Sequence, residues 1–333
     1  MVQTIFSIII SVDILSAYHP QKVEITNSEG ITWHVELKNK KMVVNKIVKE
    51  TFFLDTDTYF VRVEGIKRKY YGGFLFLSQD SVLRIINFID DKNYLYSVVK
   101  EEITSSQIEA LKAQAVVART FLYKNLGRHS YADMCDLTHC QVYQGMDSIP
   151  TEVKKAVDET DGLVLLYNNE IAEVYYHSTC GGRTADPYNI WGYNSVPPYL
   201  KPVDDPYCKQ SPHFIWKNSF PLDTLRKIFK KSFQEIAYKQ NYDSTTIFVV
   251  IDGDTLSGWR FRQHICKIFG WNTIKSSFYS ISSRNDSLIV RGKGLGHRIG
   301  VCQWGSIGMA ENGFTFLEIL NWFLPGTKVG VIK

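Results

Sequence analysis

The sequence lacks the features that identify several large classes of protein. It contains no internal repeat and no low-complexity segment, which excludes repeat architectures. After residues 1–17 there is no run of about twenty apolar residues, so no membrane-spanning helix is predicted there. The net charge is only +4, with basic and acidic residues mixed, so nothing indicates a nucleic-acid partner.

Two enzyme motifs are incomplete. His177 and Ser178 are adjacent, but no G-x-S-x-G elbow surrounds the serine, so a serine hydrolase is disfavoured. The glycine-rich residues 292–308 lack the Lys-Ser/Thr of a P-loop and open no βαβ unit, so nucleotide binding is rejected. A glycine-rich turn that presents His297 and Gln303 to a cleft is the better interpretation.

The first 17 residues are apolar enough for the core of an export signal. They lack a positive n-region, and Asp13 interrupts the apolar run. We expect an export signal or a short membrane anchor here; the alternative is a first β-strand. This segment is the only expected membrane contact.

The remaining chain predicts an α+β fold. Residues 18–95 show short alternating strands between turn signals and should form a β-rich N-terminal lobe. We assign residues 96–214 to a central catalytic region and 215–290 to a second α/β lobe, with a helix predicted over 222–229. Residues 291–333 should form a glycine-rich loop and a C-terminal helix that complete the cleft. The central domain should carry one long packed helix, and the β-rich flanking lobes should form a cleft. The aromatic fraction of 14% suits sugar stacking, although aromatic residues more often form core.

Residues 94–126 are the stretch around which the rest is organised. We predict a strand that passes Glu101 and Glu102, then a helix whose start is marked by a capping box of Ser106 and Glu109. Apolar residues at helical spacing predict one buried face: Ile108, Leu111, Ala115, Ala118 and Leu122. Adjacent strand residues point to opposite faces, so the two glutamates cannot be the facing carboxylates of an ordinary glycosidase. From spacing alone, two solvated acids are the simpler interpretation.

Two further segments carry candidate chemistry. Cys135, His139 and Cys140 are close enough in sequence to reach one zinc ion; the alternative is a disulfide, with Cys180 pairing Cys208. Cys266 and Cys302 fall in apolar settings and are expected to be plain buried thiols. His177 and Ser178 point toward a turn at Gly181 and Gly182, where glycine permits close backbone approach.

Six segments in this order resemble the stage II sporulation protein D / LytB family. They are YLYSVVKEE, EALKAQAVVART, CDLTHCQVYQG, YYHSTCGGRT, LSGWRFR and GKGLGHRIGVCQWGSIGMAENG. The resemblance runs from about residue 23 to residue 328. It implies an exported protein of the cell envelope, periplasmic or on the outer face of the cytoplasmic membrane, that binds peptidoglycan glycan strands.

Members of the sporulation branch look like lytic transglycosylases that prefer strands without stem peptides, whereas LytB members were named as enhancers of amidases. The resemblance therefore implies a transglycosylase that cleaves the MurNAc-GlcNAc bond and leaves anhydro-MurNAc ends. The alternative is a non-catalytic glycan-binding activator of an N-acetylmuramoyl-L-alanine amidase, which would then be a partner. Members of the family that contain zinc have a pattern similar to the C-D-x-T-H-C of this chain. The resemblance therefore implies a zinc ion that orders the loop at Cys135, His139 and Cys140.

The family's catalytic glutamate stands in a V-V-x-x-E context, which matches Glu102; an alternative register would assign Glu101. The family continues Glu-Met-Pro, whereas this chain has Glu102-Ile-Thr. A single glutamate suffices as acid and then base, and burial in a cleft would supply the raised pKa that the acid needs. The residues expected to bind substrate are Lys112, Gln114, Arg119, Tyr143, His177, Ser178, Gly181, Gly182, His297 and Gln303.

Overall fold

A computed structural model describes residues 7–79 and 81–332 of the chain. The chain divides into two compact units, each described by itself: unit 1 comprises residues 1–165 and 329–333, and unit 2 comprises residues 166–328. Within the described residues there are eight α-helices and five sheets. A mixed fold of helices and sheets, with more strand than helix elements, is therefore confirmed.

Unit 1 is built on a nine-stranded sheet with the order β5-β4-β3-β2-β6-β7-β8-β1-β9. The strands are β1 (Ile9–Asp13), β2 (Lys22–Thr26), β3 (Thr32–Lys38), β4 (Lys41–Val44), β5 (Ile47–Lys49), β6 (Thr51–Val63), β7 (Ile66–Gln79), β8 (Val82–Asp90) and β9 (Met134–Cys135). All neighbours are antiparallel except β1 and β9, which are parallel. The predicted β-rich region thus forms consecutive strands of one sheet.

Strand β1 corrects the expectation for part of residues 1–17. Ile10 and Val12 are buried, and β1 pairs with β8 on one side and β9 on the other. Asp13 is also buried and forms an ion pair with Arg84, with 2.9 Å between Arg84 Nη1 and Asp13 Oδ2. Burial raises the pKa of Asp13 to about 6. Residues 9–13 therefore follow the β-strand alternative, while residues 1–6 lie outside the described residues.

No helix in the part of the chain that the structure describes is both long enough and apolar enough to span a membrane.

The predicted strand before Glu102 is wrong: the chain forms helix α1 (Asp91–Glu102). Asp90 caps this helix by accepting a hydrogen bond from the backbone N–H of Asn93. The apolar residues of the stretch stand at i, i+1, i+4 and i+5, which is one face of a helix: Tyr94, Leu95, Val98 and Val99, all fully buried. Glu101 and Glu102 consequently lie in the last turn of a helix.

The predicted central helix is confirmed as α2 (Ile108–Lys124), although its predicted capping box is wrong. Gln107 occupies the N-cap without a side-chain cap bond, so Ser106 does not cap the helix. Four of the five residues expected on the apolar face are fully buried: Leu111, Ala115, Ala118 and Leu122. The small alanines let α2 pack closely against α1 and against α3 (Thr151–Glu159).

Arg119 of α2 holds the end of α3. Its side chain is only 1% exposed, and Nη1 donates to the carbonyls of Thr160 at 2.7 Å and Leu163 at 3.1 Å. Leu163 opens β10 (Leu163–Tyr167), which lies beside β20 (Lys328–Val331). The guanidinium therefore satisfies the carbonyls where α3 ends and β10 begins.

Unit 2 contains two three-stranded sheets, β13-β18-β17 and β14-β15-β16, with helices packed on a shared core. Its elements are β11 (Glu170–Ile171), β12 (Tyr176–His177), α4 (Pro187–Trp191), β13 (Trp216–Pro221), α5 (Leu222–Phe229), β14 (Ile236–Gln240), β15 (Thr246–Ile251), β16 (Asp254–Ser257), α6 (Gly258–Phe269), β17 (Phe278–Arg284), β18 (Ser287–Lys293), β19 (Val301–Cys302), α7 (Gln303–Glu311) and α8 (Phe316–Phe323). The predicted helix over 222–229 is confirmed as α5. Strands β12 and β19 form a separate parallel pair.

Replacing Arg119 with alanine should destabilise unit 1. Two buried carbonyls would lose their donor, and each costs about 1–3 kcal/mol, so we expect a loss of about 2–6 kcal/mol. Urea unfolding followed by circular dichroism measures the change. The control is Arg128→Ala on the exposed surface, where the change should stay within about 0.5 kcal/mol. Equal midpoints for the two variants would contradict this role for Arg119.

Candidate functional site

Glu102 is the last residue of α1, where its carboxyl group meets a loop. Its side chain is half-buried, and Oε1 accepts a hydrogen bond of 2.8 Å from the backbone N–H of Val142. Because Oε1 accepts this hydrogen bond, a protonated Glu102 would carry its proton on the other oxygen, Oε2. Glu102 is therefore a partly exposed carboxyl group that a backbone N–H of the loop holds in place.

Glu101 is in a different electrostatic setting. Its Oε1 lies 2.9 Å from Lys100 Nζ, and the same ammonium donates to the backbone carbonyl of Asp147 at 2.8 Å. The carboxyl group of Glu101 is thus engaged in an ion pair, whereas that of Glu102 accepts a hydrogen bond from the backbone. The structure thus places Glu102, which the sequence pattern favoured, and Glu101, the alternative, in different surroundings.

The segment after β9, residues 136–147, is held against α1 and α2 by polar contacts. The backbone N–H of Gln144 donates to Ser97 Oγ at 3.3 Å, and Gln141 Nε2 donates to the carbonyl of Ala118 at 3.2 Å. Tyr143 is fully buried, and its hydroxyl donates to Asn87 Oδ1 at 2.7 Å. Tyr143 is therefore a core residue, which corrects the expectation that it binds substrate.

Two histidines and two cysteines meet near the start of this segment, two of them within it and two before it: His129, Cys135, His139 and Cys140. Their ligand atoms all lie within 4.8 Å of one another. Cys135 Sγ is 3.3 Å from His139 Nε2, and Cys140 Sγ is 3.2 Å from His129 Nε2. Both cysteines are free thiols, so the structure does not contain the alternative disulfide. Sequence reasoning missed His129; its place six residues before Cys135, in the same loop, was the available signal.

The donor set fits a tetrahedral zinc ion. With Zn–S bonds of about 2.3 Å and Zn–N bonds of about 2.0–2.1 Å, neighbouring ligand atoms of a tetrahedron stand about 3.3–3.8 Å apart. The two measured sulfur–nitrogen distances are close to this range. The hydrogen bond between the two thiols lowers the pKa of Cys140 and raises that of Cys135, so a zinc ion would have to displace the proton of Cys135. These four residues could hold zinc in a closed site.

The other site candidates of α2 have structural surroundings. Lys112 Nζ lies 3.0 Å from Glu109 Oε1 and 2.7 Å from Glu159 Oε2, so this lysine links α2 to α3. Gln114 is only 2% exposed, and the guanidinium of Arg119 donates hydrogen bonds to backbone carbonyls. These positions correct the expectation that Lys112, Gln114 and Arg119 contact substrate, because none presents a polar group that a glycan could reach unless an existing contact is broken.

The remaining candidates lie in unit 2, where His177 and His297 form a pair with ring centroids 5.5 Å apart. His177 is buried, and its Nδ1 donates to the carbonyl of Ile299 at 3.0 Å. His297 Nδ1 accepts from the N–H of the same Ile299 at 3.0 Å, an arrangement that requires neutral His297. Burial lowers the pKa of His297 to about 4 and that of His177 well below its usual range. Both imidazoles are therefore neutral near pH 7.

The turns around this pair are set by glycine. Gly181 and Gly182 have φ of +78° and +107°, and a Cβ on Gly181 would come within 2.6 Å of Lys293 Cβ. The predicted close backbone approach at this turn is therefore present. Ser178 is half-buried and accepts a backbone hydrogen bond from Trp304, while Gln303 is buried as the first residue of α7.

An aromatic group surrounds His297. Trp191 lies 5.2 Å from His297, 4.8 Å from Tyr175 and 5.4 Å from Tyr193 between ring centroids. The Tyr175 and Tyr193 hydroxyls are 3.1 Å apart, and Tyr175 also donates to Glu173. The three aromatic residues are half-buried. Composition alone indicated aromatic stacking, but these positions were not predicted as site residues.

Comparison with known proteins identifies the class to which this arrangement belongs. Residues 79–167, which contain both glutamates and the Cys/His cluster, match the family described as stage II sporulation protein, SpoIID. The chain is 29% identical over 261 residues to the stage II sporulation protein D of Bacillus subtilis, covering 72% of this chain and 74% of that protein. These matches confirm the predicted SpoIID/LytB family.

Two other relatives show how far the sequence similarity extends. An uncharacterized protein of Brachyspira hyodysenteriae is 28% identical over 295 residues, covering 85% of this chain and 77% of that protein. The amidase enhancer of Bacillus subtilis is 28% identical over 288 residues, covering 71% of this chain but only 40% of the enhancer. The chain is thus similar to both branches of the family.

The stability of unit 2 should depend on the protonation of His297. Between its ordinary pKa of 6.5 and the folded value of about 4, the unfolded state binds the proton more readily, so stability falls as pH falls. His297→Asn keeps an acceptor for the Ile299 N–H and should reduce the difference in Tm between about pH 7 and about pH 5. The control is His264→Asn on the exposed face of α6. The same pH dependence in all three proteins would contradict this prediction.

Proposed function

We propose that this protein is a peptidoglycan lytic transglycosylase in which Glu102 acts first as acid and then as base. The observation that supports this most strongly is the placement of Glu102: it is half-buried at the end of α1, with Oε1 held by the N–H of Val142. Glu101, the alternative, is paired with Lys100. One carboxyl group is therefore set up for proton transfer, and its neighbour is not.

The proposed reaction needs only this one group. Protonated Glu102 donates its proton to the glycosidic oxygen as the bond from C1 of N-acetylmuramic acid to that oxygen breaks. The carboxylate then takes the proton of the C6 hydroxyl of the same sugar, whose oxygen closes onto C1. Glu102 is protonated again at the end, and the products are a free hydroxyl on N-acetylglucosamine and an anhydro ring. Because the substrate supplies the nucleophile, no second carboxylate is required.

The Cys/His cluster is proposed to hold zinc in a structural role. A zinc ion bound by two thiolates and two imidazoles has all four coordination positions filled. It can therefore cross-link the parts of the chain that carry these ligands, but it has no open position for a substrate or a catalytic water. Cys140 is only two residues from Val142, so fixing its sulfur fixes the N–H that orients Glu102. His129, Cys135, His139 and Cys140 would thereby position the acid without taking part in proton transfer.

The aromatic group of unit 2 is proposed to bind the glycan strand. Trp191, Tyr175 and Tyr193 are half-buried neighbours, and sugar rings stack on aromatic faces through their C–H groups. His177, Ser178 and Gln303 flank this part of the chain and remain candidates for glycan contacts. We place this activity in the cell envelope after export, as expected for a protein that acts on peptidoglycan.

A second function is supported by one specific comparison. A relative is named as an amidase enhancer, and this chain continues Glu102-Ile-Thr where the family has Glu-Met-Pro. On this alternative the protein binds glycan without cleaving it and recruits a cell-wall amidase. A release assay on glycan strands without stem peptides separates the two functions, because only the transglycosylase produces anhydro ends.

Glu102→Gln should reduce release of anhydro products by about 100- to 10,000-fold, because the amide is isosteric but cannot transfer the proton. The matched control is Glu101→Gln, which should retain most of the activity. Products are separated by chromatography and identified by mass spectrometry, and binding to insoluble glycan is measured in parallel. Loss of activity only in Glu101→Gln would reverse the assignment. Glycan binding by the wild type without any release would favour the enhancer function.

His129→Ala should remove one equivalent of zinc from the purified protein and weaken glycan binding, because the loop before Val142 loses a cross-link. Elemental analysis of protein prepared without added metal measures the zinc. His34→Ala, which changes an exposed histidine of β3, should leave the zinc content unchanged. Wild-type zinc content in His129→Ala, or a wild-type protein whose Cys135 and Cys140 form disulfides, would refute this site.

A further inference from the structure

A second group of potential metal ligands lies entirely within unit 2. It consists of Cys180, Asp205, Cys208 and Cys302, and all four side chains are fully buried. Cys180 follows β12, Asp205 and Cys208 lie in the irregular chain before β13, and Cys302 ends β19 at the N-cap of α7. Their ligand atoms lie within 4.8 Å of one another, although up to 122 residues separate them in sequence. Three distant segments therefore converge on one point.

The distances within the group suit a central ion better than a disulfide. Cys180 Sγ lies 3.6 Å from Cys208 Sγ, whereas a disulfide requires about 2.05 Å. Cys180 Sγ lies 3.1 Å from Asp205 Oδ2. A tetrahedral zinc site with three thiolates and one carboxylate has edges of about 3.5–3.8 Å. The sulfur–sulfur distance falls in this range, and the sulfur–oxygen distance needs to lengthen only slightly.

The charge of the group points to a cation. A carboxyl group and three thiols lie together in the interior, and all four side chains are fully buried. Arg298 is buried next to them, but its guanidinium donates to the carbonyls of Cys180, Arg183 and Asp243. Ionised thiolates and a carboxylate would be costly in this interior without further positive charge. A divalent ion supplies that charge at the centre of the group.

The surroundings orient the ligand atoms inward. The backbone N–H groups of Cys180 and Gly305 each lie 3.3 Å from Cys302 Sγ, and Asp205 Oδ1 accepts from the N–H of Tyr207 at 3.0 Å. Cys302 is also the N-cap residue of α7. Any Cβ at position 305 would collide with Asp205 Oδ2, so glycine is needed there for the carboxylate to reach the group. Hydrogen bonds of this kind typically orient the residues that bind a metal ion directly.

We propose that Cys180, Asp205, Cys208 and Cys302 bind a structural zinc ion that joins these three segments of unit 2. Zinc accepts thiolate and carboxylate ligands together in a tetrahedron, and complete burial leaves no open position for substrate. Cys302 is a buried free thiol, as expected, and on this proposal its sulfur is one of the ligands. This site does not depend on Glu102 or on the Cys/His cluster of unit 1.

Elemental analysis of four purified variants tests this site separately from that of unit 1. Cys208→Ser should hold one equivalent of zinc less than the wild type, and Cys140→Ser should lose one equivalent independently, so that the double variant loses both. Cys266→Ser is the control, because Cys266 belongs to unit 2 but to neither group, and its zinc content should equal that of the wild type. Wild-type zinc content in Cys208→Ser would overturn the proposal, whatever Cys140→Ser shows.

A measurement on the wild type keeps the test decisive if Cys208→Ser does not fold. Native protein is treated with a thiol-alkylating reagent with and without a zinc chelator, and peptides are read by mass spectrometry. Cys180, Cys208 and Cys302 should react only after chelation, and the Tm should fall when zinc is removed. Alkylation that is independent of the chelator, or an unreduced peptide with Cys180 linked to Cys208, would overturn the zinc site.

Discussion

The hydrogen bond from the Val142 N–H to Glu102 is the contact on which the candidate active site depends. It connects residues 40 apart in sequence, the end of α1 and a loop without regular secondary structure. A loop N–H holds a fixed position only if the loop itself is fixed. Here hydrogen bonds on both sides of Val142 fix the loop. The side chain of Gln141 donates to a carbonyl of α2, and the backbone N–H of Gln144 donates to a serine of α1. The geometry at Glu102 is therefore a property of the packed unit rather than of α1 alone.

Both units use converging cysteines at places where the chain is irregular. In unit 1 the Cys/His cluster lies between α2 and the loop that reaches Glu102, and in unit 2 three cysteines and Asp205 join the chain around the β12–β19 pair. Segments without helix or strand bury few apolar side chains for each residue that they order. Cross-linking by a metal ion can replace that missing apolar burial, and it links positions that hydrophobic packing leaves free to shift.

Several helices could be predicted because their apolar residues recur at helical spacing. The period of α2 is visible in Leu111, Ala115, Ala118 and Leu122, and α5 was predicted with its observed bounds. The first strand and the first helix were assigned less well. Val98 and Val99 suggested a strand, whereas the Asp90 cap and the contacts with α2 favour a helix. Tertiary packing outweighed the β preference of two adjacent valines, as intrinsic propensities are worth only tenths of a kcal/mol per residue.

The amino-acid sequence by itself determined the family, the α+β character, the Cys135–His139–Cys140 spacing and the short list that contains Glu102. The sequence pattern favoured Glu102 over Glu101, and only the tertiary structure showed what each contacts, namely the N–H of Val142 and the ammonium of Lys100. Only the tertiary structure showed that His129 lies in the Cys/His cluster and that Asp205 and Cys302 lie in the second group of potential ligands. Buried side chains such as Tyr143 and Arg119 also took structural roles that their sequence motifs did not reveal. The physical reason is that ligand sets and proton affinities depend on distances of a few ångströms between segments that are remote in the chain, and only the packed fold defines those distances.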